Sequence, residues 1–281
     1  MSQLHHTHIT SKKKWFELNL KEVWDYRDLI ILFTKRTFAL TYKQTILGPA
    51  WIFLNPFITG LLYAFVFGGI AGINTSGIPN VLFYLSSTAI WTFFSSCVNK
   101  NAHTFTANAG MFGKVYFPRL TIPISNVISA MIRFAVQMLL VIAFLIYYVV
   151  IGAVHPNWSM WLLIPIILLH LGIMGLGFGI IVSSLTTKYR DLGILVTFGV
   201  QLWMYITPIV YPLSLLGEGP ARLLLIINPV TMPVELFRLI VLGQGLIILP
   251  FMVLSVIITF AVAIFGIMLF NRVEKTFMDT V

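Results

Sequence analysis

Apolar residues run almost unbroken through six stretches of this chain, at about 50–70, 81–100, 121–150, 160–185, 192–211 and 247–270. Each comes close to or exceeds the roughly 20 residues that an α-helix needs to cross the hydrocarbon core of a bilayer. The stretches are apolar on every side. Strands of a membrane barrel would alternate apolar and polar positions, so the pattern predicts helices. The expected fold is an all-α membrane protein with six transmembrane helices.

Two segments depart from that pattern. In residues 22–46, Val23, Tyr26, Ile30 and Phe33 recur at helical spacing, as do Trp24, Ile31 and Phe38. Asp25, Asp28, Lys35, Arg36 and Lys43 fall largely on the other side. This predicts an amphipathic helix lying at a membrane interface; a plain membrane anchor is the simpler alternative. Gly48 and Pro49 join it to the first apolar run. The second segment, 212–246, is apolar only in pieces, because Pro212, Gly217, Gly219, Pro220, Pro229, Pro233 and Gly243 interrupt it. The pieces near 221–228 and 231–242 are too short to span. They predict a re-entrant helix pair between spans five and six, forming an outer gate. An ordinary outer loop on the lipid surface is the alternative. The organisation expected is a tail at 1–21, the interfacial helix at 22–46 and a six-span domain at 47–281.

Composition agrees with a membrane protein. Hydrophobic residues make up 58% of the chain and charged residues 10%, against about 25% charged in soluble domains. The net charge of +9 would suit a nucleic-acid binder, but its distribution has another cause. Lys12, Lys13, Lys14, Lys21, Arg27, Lys35, Arg36 and Lys43 precede the first span. Lys100, Lys114, Arg119, Lys188, Arg190, Arg272 and Lys275 fall in alternate loops and the tail on that same side. Only Arg222 and Arg238 lie opposite, and Arg133 sits inside a span. The positive-inside rule then places both termini in the cytoplasm, where the basic groups also meet anionic lipid headgroups. Nucleic acid is not an expected partner. Residues 1–21 do not resemble a cleavable signal peptide. Cys97 is alone, so no internal disulfide forms. His5, His6 and His8 read as part of a tail rather than a metal site.

The chemistry lacking is informative. No G-x-x-x-x-G-K-[ST] phosphate loop, H-E-x-x-H pair or G-x-S-x-G elbow occurs, and no catalytic or metal-ligating residue is assigned. None of the nine acidic residues lies in the middle of a span. That disfavours an ion-coupled carrier and a metal-dependent membrane glycosyltransferase. Arg133, with Gln137 one turn on, is the costliest polar group in a span. It faces the bundle interior or snorkels to helix-end carbonyls. His170, Gln201, Asn126 and Asn99 are suited to interhelical hydrogen bonds. Gly172, Gly175, Gly177 and Gly179 predict close helix packing by the fourth span. Phe198, Trp203, Tyr205 and Tyr211 face or approach the outer half of the fifth span. They suit either a path for sugars or anchoring in lipid.

Three stretches carry a resemblance: RDLIILFTKRTFALTYKQTILGPAWIFLNP (27–56), GKVYFPRLTIPIS (113–125), and KYRDLG (188–193) followed by QLWMYITPIVYPLS (201–214) and NPVTMPVELFR (228–238). Together they resemble the permease subunits of type-2 ABC exporters for polysaccharides, which move lipid-linked O-antigen, capsule or teichoic acid. The resemblance implies a homodimer around one conduit in the bacterial inner membrane. It also implies two separate ATPase subunits that hold ATP and Mg, with no cofactor on this chain, and an undecaprenyl-type lipid-linked polysaccharide as cargo. It places coupling contacts near 105–116 and 187–192, with Lys114, Tyr189, Arg190 and Asp191 as candidates. The interfacial helix would present Arg27, Asp28, Lys35, Arg36, Tyr42 and Lys43. Tyr211, Glu218, Arg222, Glu235 and Arg238 become outer-gate candidates, and Arg133, Phe198, Trp203 and Tyr205 conduit candidates. A type-2 permease for a drug, lipid or small solute would share the fold.

Overall fold

A computed structural model describes residues 20–42, 46–189 and 191–277. Among these residues every regular element is a helix. The chain opens with α1 (Leu20–Asp25) and α2 (Arg27–Tyr42). Helix α3 (Trp51–Tyr63) continues into a π-helical segment, Ala64–Ile70. Then come α4 (Asn80–Ala102), the short α5 (Thr104–Phe112), and α6 (Thr121–Val150). A 3₁₀ segment, Trp158–Leu163, leads into α7 (Ile164–Thr186). Helix α8 (Leu192–Ile206) precedes the pair α9 (Pro220–Ile227) and α10 (Thr231–Leu242), and α11 (Leu249–Phe277) closes the chain.

Helix α4 is the central post. It packs on α6 and α7 and touches α3, α8 and α10. Phe83, Tyr84, Phe93 and Phe94 along it are fully buried. In lipid the hydrophobic effect does little to bring helices together, so close packing must do it. The glycines of α7 supply that closeness. A Cβ on Gly175 would lie 2.6 Å from Cys97 Cβ, and one on Gly179 would lie 2.4 Å from Asn101 Cβ. On another side of α7, Gly177 meets the backbone of Ala263 in α11. Polar bonds add to this. Asn126 Nδ2 donates to Asn101 Oδ1 at 3.0 Å, and His170 Nε2 lies 2.8 Å from Thr259 Oγ1.

Among the described residues, five stretches are long and apolar enough to cross a membrane: Trp51–Ile70, Asn80–Ala102, Thr121–Val150, Trp158–Thr186 and Leu249–Glu274. The expected fifth span, 192–211, differs. Its helix has 15 residues and stops at Ile206, a rise of about 22 Å against a core of about 30 Å. The cause is local. Pro208 disfavours the helical region for Thr207, which is extended at φ −105° and ψ 140°. The chain nevertheless runs from one end of the bundle to the other here. Gly193 lies against the His103 ring at the α4–α5 junction. Ser214 Oγ is 3.1 Å from Ser76 Oγ, in the loop before α4 at the opposite end. Turns and bends over 207–212 complete the passage that the helix begins.

Helices α9 and α10 meet at an 88° bend. Ser214, before the pair, and Gln244, after it, line one cleft. The chain entering the pair and the chain leaving it therefore meet, and the two helices form a bent hairpin. Gly243 ends α10 with a left-handed φ of 75°, a conformation that favours glycine. The carbonyl of His155 lies where a side chain at this position would stand.

The amphipathic segment divides its two apolar stripes. Val23, Ile30 and Phe33 are buried and Tyr26 is partly so, while Trp24 and Ile31 are 68% and 51% exposed. One stripe packs inward, where α2 lies along α6. The other remains open on the surface.

Candidate functional site

Two groups of candidate residues gather at opposite ends of the bundle. The first lies at the end carrying most of the Lys and Arg residues. Helix α5 is pinned there by an aromatic cluster. Phe105 stacks on Phe270 of α11 at 4.5 Å, and Phe112 and Phe117 join it to Phe33 of α2. The Phe105 N–H donates to Ser183 Oγ of α7 at 3.0 Å. Arg119 Nη1 donates to the Glu274 carbonyl at 2.6 Å, with the guanidinium 5.4 Å from the Phe112 ring centroid. Burial pulls the Arg119 pKa down and Glu274 opposes that pull. Tyr116 Oη donates to Glu22 Oε1 at 3.2 Å, and Arg36 Nη1 reaches Met111 Sδ at 3.9 Å. The α5 region is thus tied to α1, α2, α7 and α11 at once.

The chain just before the first expected coupling piece meets the residues that flank the second. Thr186 Oγ1 donates to the Ala102 carbonyl, and Gly193 touches His103. Tyr189 and Asp191 are exposed beside this junction, and Lys114 is exposed after the far end of α5. Lys188 Nζ stands 5.3 Å from the Tyr189 ring centroid. Arg190 lies outside the described residues, as does Lys43. Arg27, Asp28, Lys35 and Arg36 are exposed on α2, and Tyr42 is its last residue.

At the far end the hairpin is held by a buried charge pair. Glu235 and Arg238 are 2% and 3% exposed. Arg238 Nη1 donates to Glu235 Oε1. Its Nη2 donates to the Pro208 carbonyl and, at 3.2 Å, to Ser87 Oγ of α4. The guanidinium carbon sits 4.5 Å from the Phe83 ring centroid. Glu235 Oε2 accepts the Leu246 N–H at 2.9 Å. One pair of side chains therefore joins α10 to α4, to the end of the fifth crossing and to the turn leaving the hairpin. The i, i+3 spacing was legible in the sequence. Ser87, Pro208 and Leu246 carried no local signal, being remote in the chain. The second candidate pair is not formed: Glu218 is exposed, Arg222 half-buried, and no ion pair joins them.

Asn228 brackets the start of the bend. Its Oδ1 accepts the Trp203 Nε1–H at 3.0 Å and the Val230 N–H at 3.1 Å. Its Nδ2 donates to the Ile206 carbonyl and to Thr207 Oγ1. The Asn-Pro dipeptide signals a turn, but the tryptophan partner was not foreseeable. Asn228→Leu should destabilise the fold by about 2–3 kcal/mol, since several bonds of roughly 1 kcal/mol are lost and buried donors are stranded. Thermal unfolding in detergent, followed by tryptophan emission, checks this.

The conduit candidates separate. Trp203 is half-buried, with its ring edge-on to Phe94 and Phe178 at 5.3 and 5.2 Å. Phe198 and Tyr205 are exposed on α8, and Tyr211 Oη donates to the Tyr205 carbonyl at 2.8 Å. Arg133 is half-buried on α6, with Gln137 buried one turn on. These residues do not form a single lined path within one copy of the chain.

The profile of the ABC-2 type transporter matches residues 28–242, which takes in both ends of this arrangement. The chain belongs to that family. It is 29% identical over 253 residues to the O-antigen export system permease protein RfbA of Klebsiella pneumoniae, covering 90% of this chain and 94% of the relative. A second Klebsiella pneumoniae RfbA is 31% identical over 192 residues, covering 68% and 71%. RfbA of Myxococcus xanthus is 29% identical over 214 residues, covering 75% and 78%. The permease is thus a multi-pass protein of the bacterial inner membrane and a transport subunit.

Proposed function

We propose that this permease exports lipid-linked polysaccharide, O-antigen in the first place, across the inner membrane. The carrying observation is similarity along nearly the full chain to permeases named for O-antigen export. In this reading two copies pair around a conduit, and two ATPase subunits bind ATP and Mg below them. The exposed apolar side chains of α8, Ile194, Leu195, Phe198 and Leu202, suit a lipid surface or the second copy. Both termini lie in the cytoplasm, and the α9–α10 hairpin dips into the outer leaflet as a gate.

Physical reasoning supports a shaped conduit. A glycan carries many hydroxyls, and each one left without a partner in hydrocarbon costs free energy. Closure of the ATPase pair would push α5 and the 187–191 turn, and rigid-body movement would follow. The aromatic cluster linking α5 to α2 and α11 suits the transfer of such a push. A type-2 permease for a drug, lipid or other small solute is the second reading.

Deleting the gene should abolish glycan on the cell surface, and the intact chain should restore it. Asp191→Ala and Arg190→Ala should each insert normally yet restore at most about a tenth of the wild-type glycan, with ATP hydrolysis continuing. Wild-type glycan in both variants would remove this turn from the coupling path. Wild-type glycan in the deletion strain itself would remove the polysaccharide assignment.

A further inference from the structure

The buried pair at the far end forms the base of a cleft of about 300 Å³. Thr75 and Ser76 line it from the loop before α4, Pro212 and Ser214 from the chain entering the hairpin, and Gln244 and Leu246 from the chain leaving it. Ligand pockets generally run from roughly 300 to 1,000 Å³. This one accommodates a single ring-sized molecule and not a length of polymer.

Its chemistry selects among small molecules. Glu235 and Arg238 cancel each other's charge at the base, so a lone anion meets the carboxylate and a lone cation meets the guanidinium. A neutral polyhydroxylated molecule meets neither difficulty, because each hydroxyl both donates and accepts. The cleft offers matching partners. Arg238 lines the cleft and is 3% exposed, and its buried Nε–H has no acceptor among the described residues. Donors at such depth are rarely left unpaired. Glu235 Oε2 accepts one bond from Leu246 and retains a further lone pair. The hydroxyls of Ser76 and Ser214 share one hydrogen bond, which leaves one hydroxyl hydrogen over. Gln244 is exposed at the rim. Ile78, Pro212 and Leu246 supply an apolar wall for the CH face of a ring.

We propose that this cleft is an exit-side subsite for one neutral sugar ring of the departing glycan. The inference rests on the polysaccharide reading above and on the outward placement of the hairpin. A one-ring site of modest affinity is occupied by successive residues of the chain as they leave, and it contacts the same side chains that hold the hairpin to α4.

The test uses the only cysteine to advantage. Cys97 is fully buried, so Gln244→Cys creates a single accessible thiol in the cleft. Leu215→Cys, at an exposed position beside the cleft, serves as the reference. The full-length variants are reconstituted in nanodiscs and labelled with a soluble maleimide. The additions are methyl glycosides of mannose, galactose and N-acetylglucosamine, delipidated glycan from the same cells, inorganic phosphate and calcium. At least one neutral sugar should slow labelling at position 244 threefold or more and leave position 215 unchanged, while phosphate and calcium do nothing. Absence of protection by every sugar overturns the inference. So does equal protection by phosphate or calcium, or equal slowing at position 215.

A second arm works in cells. Ser214→Trp and Gln244→Trp fill the cleft from exposed positions and should lower surface glycan at least fivefold at normal protein levels. Full export by both variants overturns the subsite while leaving the polysaccharide reading intact. Loss of that reading shows instead in the deletion strain, and the labelling arm needs neither export nor ATP.

Discussion

Arg238→Ala should destabilise the permease by about 3–5 kcal/mol, the range for removing one partner of a buried ion pair. The loss is large because Glu235 would stay buried at 2% exposure with only the Leu246 N–H as a described partner. Three further attachments go at once: the Pro208 carbonyl, Ser87 and the face of Phe83. The hairpin would then be held to α4 mainly by apolar contact. Glu235→Ala should cost a similar amount for the converse reason, a stranded guanidinium. The double change Glu235→Leu with Arg238→Met should recover much of the lost stability, since apolar replacement of a whole buried pair is often neutral or better. Heating in detergent followed by size-exclusion chromatography measures all four proteins. An Arg238→Ala variant that survives heating like the wild type would mean that the pair is wet rather than buried.

Gly179→Leu should prevent accumulation of the folded protein. Even the first added carbon would stand 2.4 Å from Asn101 Cβ and 2.8 Å from the Val98 carbonyl oxygen. Both sites belong to the central helix, so neither can move aside without opening the contact of α4 with α7. Overpacking usually costs about 1–3 kcal/mol, and a clash with backbone puts this change at or above the upper end. Gly175→Leu should behave alike. Gly199→Ala is the control. It lies in α8 with no described residue within 4 Å of the added carbon, and alanine favours a helix over glycine by about 1 kcal/mol. Membrane-fraction yield and monodispersity separate the cases. Normal yield of Gly179→Leu would show that α4 and α7 are not in close contact.

Much of the helical layout was legible from apolar runs because lipid demands long, uninterrupted helices whose backbone bonds are internal. Four of the six expected spans correspond closely to α3 with its π-helical continuation, α4, α6 and α11. The fourth gains a 3₁₀ entry at Trp158. The fifth was overestimated, since apolar character continues past Ile206 to Tyr211 while the helix ends at Ile206. Pro208 gave the local reason in the sequence, but hydrophobicity alone does not register it. The glycines of α7 were readable as a packing face, though not which helix they meet.

The candidate residues were less legible. Glu235 and Arg238 stood at helical spacing, yet spacing says nothing of burial, and exposed pairs contribute little. Asn228 and Ser87 looked unremarkable until their partners arrived from segments 25 and 151 residues away.

The order of amino acids by itself determined that this chain is a helical membrane protein, where its crossings begin and where the hairpin breaks. Those features follow from local chemistry: hydrophobic length, proline geometry and the placement of basic residues. Only the tertiary structure decided which charges are buried, that the α4–α5 junction meets the chain flanking the turn between α7 and α8, and that a cleft lies against the hairpin. Such properties depend on groups distant in the chain becoming neighbours, and a linear pattern carries no measure of that distance.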